Sequence, residues 1–185
     1  MKTAYVFFAD GFEDVEAITP IDYLHRAGVD VTIVGVTGLT VVSSHGLSVQ
    51  TELTIDEITG EFLPDLAVLP GGGKGSKNLA ASVELRKFIV RMMQAQKGIG
   101  AICAAPAVVL GGWGLLEGHS YTCYPGMGND LSVKPLEKRV VIDGPLVTAR
   151  AAGVAEEFAL ALVRYLCGQQ IATKVAADIL ARANP

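Results

Sequence analysis

The sequence predicts an α/β fold with a mostly parallel central sheet. Three observations point there. Short continuous apolar runs at residues 4–8, 66–69 and 99–102 have the length and composition of strands buried on both faces. Longer segments with helical spacing separate them, and strands that alternate with helices favour a parallel sheet. Half of the 185 residues are hydrophobic and only 18 % are charged, an apolar excess that fits a sheet covered on both sides.

The elements follow in order. Residues 4–8 form a central strand, ended by Asp10-Gly11. Val15, Ile18, Ile21 and Leu24 keep helical spacing, Gly28 stops that helix, and Pro20 kinks it or delays its start. Residues 29–36 complete a βαβ unit. Residues 40–51 make a hairpin around Ser43-Ser44-His45-Gly46, and strand 66–69 runs into the loop Pro70-Gly71-Gly72-Gly73-Lys74-Gly75. Residues 83–96 are an amphipathic helix with Leu85, Phe88, Ile89 and Met92 on one face. Strand 99–102 ends at Cys103, and a helix spans 104–113. A turn at 114–118 leads to a short strand at 120–123, then a hairpin joins 139–142 to 146–149. Helices at 154–167 and 171–183 close the chain. We read residues 1–185 as one domain.

Composition excludes several classes of function. A net charge of −4 leaves no basic footprint for nucleic acid. No apolar run is long enough to span a bilayer, and the N-terminal residues lack a signal-peptide layout. Three scattered cysteines form neither a disulfide framework nor a zinc pattern, so a reducing, cytoplasmic setting is the expectation.

Three loops lie where strands end, which is where ligand chemistry sits in such folds: 10–16, 70–75 and Cys103. Cys103 occupies a strand–nucleophile–helix turn, Gly100-Ala101-Ile102-Cys103-Ala104-Ala105-Pro106. A helix start behind it aims free N–H groups at the sulfur, which predicts a lowered thiol pKa. A buried structural cysteine is the plain alternative. Glu16, early in the first helix, is the carboxyl within reach for proton transfer; a dipole-favoured acid is the competing reading, and it suits Glu13 and Asp14 well. The Pro70–Gly73 loop and the Ala104 N–H can supply oxyanion donors. His25 and His119 read as surface residues. His45, in the hairpin turn, is a candidate base or substrate contact, so a Cys–His dyad is not assured. Cys123 and Cys167 read as ordinary cysteines.

Val68-Leu69-Pro70-Gly71-Gly72, Ala101-Ile102-Cys103-Ala104-Ala105-Pro106 and Asp10-Gly11-Phe12-Glu13-Asp14-Val15-Glu16 together resemble the ThiJ/PfpI superfamily. Within it they resemble the branch of the Parkinson-associated protein deglycase and its bacterial relatives. The resemblance implies a flavodoxin-like three-layer α/β sandwich and a homodimer. It implies that Cys103 is the reactive cysteine in a strained turn, and Glu16 its protonated carboxyl partner. Gly72 and Ala104 N–H match the oxyanion site, and Arg150 matches an arginine at the active-site rim. Tyr124 stands where some members carry a histidine. His45 stands where many carry an arginine reaching the partner's site, which suggests that His45 crosses the dimer to replace the missing histidine.

The protease and larger glyoxalase branches place a histidine after the nucleophile, where this chain has Ala104. Class I glutamine amidotransferases carry a glycine at the position of Ala105 and a late His-x-Glu pair, which this chain lacks. The resemblance therefore implies a cysteine enzyme without cofactor or metal, of deglycase/glyoxalase type, acting on a small aldehyde such as methylglyoxal or on glycated adducts. The alternative is an oxidative-stress sensor or redox-regulated chaperone using the same cysteine.

Overall fold

The computed structural model describes residues 1–182. Its chain order is β1 (Thr3–Phe8), α1 (Asp14–Arg26), β2 (Asp30–Gly35), β3 (Thr40–Val42), β4 (Ser48–Gln50), β5 (Leu53–Thr54), β6 (Leu66–Leu69), α2 (Gly73–Ala81), α3 (Val83–Gln94), β7 (Gly98–Ile102), β8 (Val140–Asp143), β9 (Leu146–Ala149), α4 (Ala155–Cys167) and α5 (Gln169–Asp178). The seven-stranded sheet runs β5-β2-β1-β6-β7-β9-β8, while β3 and β4 pair apart as an antiparallel hairpin. Every neighbour in the main sheet is parallel except β8 against β9. This is the expected flavodoxin-like α/β architecture.

Alternation along the strands builds the core on both faces. Val6 and Phe8 of β1 join Leu24 of α1, Phe158 and Leu162 of α4 and Val175 of α5 on one side. Phe7 of β1, with Leu69 and Ala101, packs against Leu79, Leu85, Phe88 and Met92 of α2 and α3 on the other. Each fully buried Phe or Leu here contributes roughly 1.5–3 kcal/mol. The chain leaves β1 toward β2 on one side, then returns to β6 on the other. That reversal opens a crevice at the carboxyl ends of β1 and β6, the place such sheets use for ligands.

Several expectations change. The buried face of α1 is Glu16, Ala17, Pro20 and Leu24, whereas Val15 and Ile18 are 46 % and 41 % exposed. The helix is rotated so that Glu16 and Pro20 join Leu24 and Ile21 on the inner side, while Val15 and Ile18 leave it. Pro20 sits inside it, where it leaves the Glu16 carbonyl without its i+4 donor. The glycine loop passes directly into α2, a helix hidden in the sequence by two glycines of low helix propensity. Residues 120–123 form no strand, because β8 already occupies the free edge of β9. The segment after Cys103 winds as a π-helix over Pro106–Gly111, a local widening common near functional sites. The last helix ends at Asp178: residues 179–182, expected to continue it, turn away instead, and residue 183 lies outside those described.

Candidate active site

Cys103 follows β7, an interior strand of the sheet, with φ of 63°, a left-handed conformation that costs a non-glycine residue roughly 1–2 kcal/mol. Two backbone bonds hold it there. Its N–H donates to the Ala149 carbonyl at 2.9 Å, and its carbonyl accepts from the Tyr124 N–H at 2.7 Å. The turn thus presents the thiol, partly exposed, at the strand's end.

The three strand-end loops meet around it. The Glu13 N–H donates to the Gly71 carbonyl at 3.1 Å, and the Gly75 N–H to the Gly11 carbonyl at 3.1 Å. Glu16 is completely buried, and its Oε2 accepts the Gly71 N–H at 3.0 Å. Its Oε1 makes no full hydrogen bond, yet the carboxyl and the Cys103 thiol are close enough to perturb each other's pKa by direct contact. Only glycine fits the loop between them. A Cβ at Gly71 would overlap Glu16 Oε2 and stand 2.6 Å from Cys103 Cβ; one at Gly72, where φ is 94°, would overlap the Gly11 carbonyl.

Burial pushes the Glu16 carboxyl up to about 7; the thiol contact and the Gly71 N–H oppose this, and the Glu13 charge adds to it. The expected fall in the Cys103 pKa does not occur. Burial, then the Glu16 charge and contact, push it up to about 12, and the Gly72 and Ala104 N–H groups at the sulfur only partly compensate. The negative charge on Glu16 is the part that protonation can remove. Cys103 therefore gains thiolate character while Glu16 keeps its proton.

A cavity of about 390 Å³ opens over the thiol. Its walls include Cys103, Glu16, Gly72, Ala104, His45 and Tyr124. His45 reaches it from its own chain: Nδ1 pairs with Asp14 Oδ2 at 2.7 Å, and Glu13 Oε1 lies 3.8 Å away. Arg150 does not line this cavity; it faces an adjoining groove on the other side of Tyr124.

Sequence reasoning missed the wall formed by Ala151, Ala152 and Gly153, and the role of Asp14 as partner of His45. Small residues directly after β9, at a strand's carboxyl end, were the available signal for the wall. Among the described residues, Glu13, Asp14 and His45 form the cluster whose ligand atoms lie within 4.8 Å of one another. The ion pair and hydrogen bonds within it account for that closeness.

The DJ-1/PfpI family matches residues 2–165. DJ-1 homolog B of Arabidopsis thaliana is 37 % identical over the whole chain, which spans only 42 % of that longer protein. A deglycase from Pyrococcus horikoshii is 32 % identical over 77 % of this chain and 86 % of its own length. The structure of oxidized Toxoplasma gondii DJ-1 superposes with a TM-score of 0.95 at 32 % identity, covering 99 % of this chain and 100 % of that one. With the family match spanning most of its length and the same architecture throughout, this chain belongs to the DJ-1/PfpI family.

Proposed function

We propose that this chain is a cofactor-independent cysteine enzyme of the deglycase/glyoxalase type, acting on methylglyoxal or its adducts. The observation that carries this reading is the strained Cys103 thiol held against a buried carboxyl whose pKa is raised to about 7, with two backbone N–H groups aimed at the sulfur. The deglycase name of the Pyrococcus horikoshii relative supports it.

In this mechanism Cys103 Sγ adds to the aldehyde carbon, and the thiol proton passes to the carbonyl oxygen, giving a hemithioacetal. The Gly72 and Ala104 N–H groups stabilise the oxyanion as it forms. Glu16 takes the proton from the former aldehyde carbon and returns it to the neighbouring carbon through an enediol, leaving a thioester. Water cleaves the thioester to lactate and regenerates the thiol. The net change is addition of one water to methylglyoxal, with oxidation at one carbon matched by reduction at the next. A carboxyl that titrates near neutrality can both accept and return that proton.

The exposed Val15 and Ile18 on α1 support a homodimer, whose test is sedimentation of the purified protein. A second reading is redox sensing. The oxidized Toxoplasma gondii structure and the partial exposure of Cys103 favour it.

The test of the enzyme reading is lactate formation from methylglyoxal by wild type, Cys103→Ser and Glu16→Ala. We expect full turnover from wild type, none from Cys103→Ser and about 100-fold less from Glu16→Ala. Equal, negligible rates from all three would overturn the reading. Selective gain of two oxygens at Cys103 under mild peroxide would then favour the sensor.

A further inference from the structure

A second groove lies beyond Tyr124 and plays no part in the chemistry above. It has a volume of about 270 Å³, and its walls include Tyr124, Cys123, Asn129, Lys134, Glu137 and Arg150. It is joined to the Cys103 cavity by the chain itself. Tyr124 borders both spaces, and its N–H is bonded to the Cys103 carbonyl. Arg150 follows Ala149, whose carbonyl holds the Cys103 N–H. From Arg150 in the groove the chain continues into Ala151, Ala152 and Gly153, which wall the reactive cavity. Tyr124 is the wall that the two spaces share.

The groove carries two cations, Arg150 and Lys134, against one acid, Glu137. The Arg150 guanidinium has no hydrogen-bond or ion-pair partner among the described residues, although its charge is felt by the buried Cys123 thiol. Arg139, by contrast, is locked onto Glu157 at 2.6–2.9 Å. Lys134 Nζ is fixed by the Asn129 and Leu131 carbonyls at 2.6 and 2.9 Å, which leaves one of its three donors. Glu137 is the one acid in the wall. A planar guanidinium without a partner among the described residues, in the same groove as a positioned ammonium, matches the oxygen pair of a carboxylate or phosphate.

We propose that this groove is an anion subsite of the Cys103 site, and that it selects carbonyl adducts bearing a carboxylate or phosphate a few bonds from the reactive carbon. Arg150 and Lys134 hold the anion, Tyr124 supports the connecting atoms, and the carbonyl carbon falls over Cys103. The proposal rests on the enzyme reading for its substrate, but the anion site itself does not require turnover.

Two measurements test it. The first is kcat/KM for methylglyoxal hemithioacetals of N-acetylcysteine, which carries a carboxylate, and of N-acetylcysteine amide, which does not. Wild type is expected to favour the carboxylate about tenfold, mainly through KM, and Arg150→Gln to lose that preference. The second measures binding without catalysis: acetate and inorganic phosphate are titrated into wild type, Arg150→Gln and Lys134→Gln, with Tm as readout. A rise in Tm that both substitutions diminish supports the subsite, and the ion with the larger effect identifies the preferred anion. Equal use of both adducts, or Tm shifts that the substitutions leave intact, would overturn it. If no adduct is turned over by any protein, the enzyme reading fails, and the titration alone decides the subsite.

Discussion

The Glu16 carboxyl is fully buried against the Cys103 thiol, so one proton on Glu16 sets the charge that the sulfur experiences. A titration at about 7 should therefore appear in thiol chemistry, not only in catalysis. We expect the rate of Cys103 alkylation to show an inflection near pH 7 that Glu16→Gln abolishes. Glutamine keeps an oxygen for the Gly71 N–H and an amide donor for the sulfur, but cannot ionise. An inflection that persists in the variant assigns it to another group. Removing the group altogether, in Glu16→Ala, should lower turnover about 100-fold.

The same proton makes stability depend on pH. The folded pKa of Glu16 is raised from 4.5 to about 7, so the native state binds more protons than the unfolded chain between those values. Stability is then highest below pH 4.5 as far as this group is concerned, and falls as pH rises through 7, by roughly 3 kcal/mol in all. Glu16→Gln should flatten that slope in urea unfolding measured from pH 5 to pH 8. A variant as pH-dependent as wild type in this window would show that Glu16 is not the source.

Much of this site was readable before the fold was known. Cys103 stands where an apolar strand meets a run of small residues, and Pro70–Gly73 follows a strand of the same kind, so topology alone directs both to one edge. The orientation of α1 was readable only in part: the register of Glu16 with Pro20 points the carboxyl inward, as the structure has it, but the full apolar stripe does not follow it. Val15 and Ile18 mimic core positions, while packing against α4 and the Gly71 loop turns Glu16 inward. The Cys103 pKa depended on that rotation. A helix start behind the sulfur favours the thiolate, but burial and the neighbouring carboxyl outweigh it. His45 was legible as a turn residue, whereas its pairing with Asp14 comes from hairpin β3–β4 folding back over the start of α1.

Gly71 leaves no room for a methyl group beside Glu16 and Cys103. Gly71→Ala would drive a Cβ into Glu16 Oε2 and against Cys103 Cβ. Neither neighbour has room to yield, since Glu16 is buried and Cys103 is held by two backbone bonds. We expect a loss of about 1–3 kcal/mol in stability and displacement of the Glu16–Cys103 contact. Thiol alkylation should then lose the inflection near pH 7, as in Glu16→Gln. Wild-type stability and an unchanged profile would show that the loop relaxes.

His45 and Asp14 form an exposed ion pair at the mouth of the cavity. The Asp14 hydrogen bond, then the Glu13 and Asp14 charges, raise the His45 pKa above 6.5, while His45 and then Ser43 lower that of Asp14 below 3.8. Their attraction is thus fully present between those two values. It fades as pH rises through the raised His45 pKa or falls through the lowered Asp14 pKa. Asp14→Asn should move the His45 titration, followed by NMR, back toward 6.5. His45→Ala should alter the pH profile of turnover at the Cys103 site; an unchanged rate and profile would remove His45 from the mechanism.

The left-handed turn at Cys103 makes a final prediction about stability alone. Cys103→Ala and Cys103→Gly both remove the thiol, but only glycine adopts φ of 63° without strain. Glycine ordinarily costs stability through the freedom it gives the unfolded chain, so alanine should win at an unstrained position. Here the order should reverse, with Cys103→Gly about 1 kcal/mol more stable than Cys103→Ala in urea unfolding. The reversed order would mean that the protein maintains a strained backbone to keep a thiol at that point. Alanine the more stable of the two would mean that the turn carries no strain.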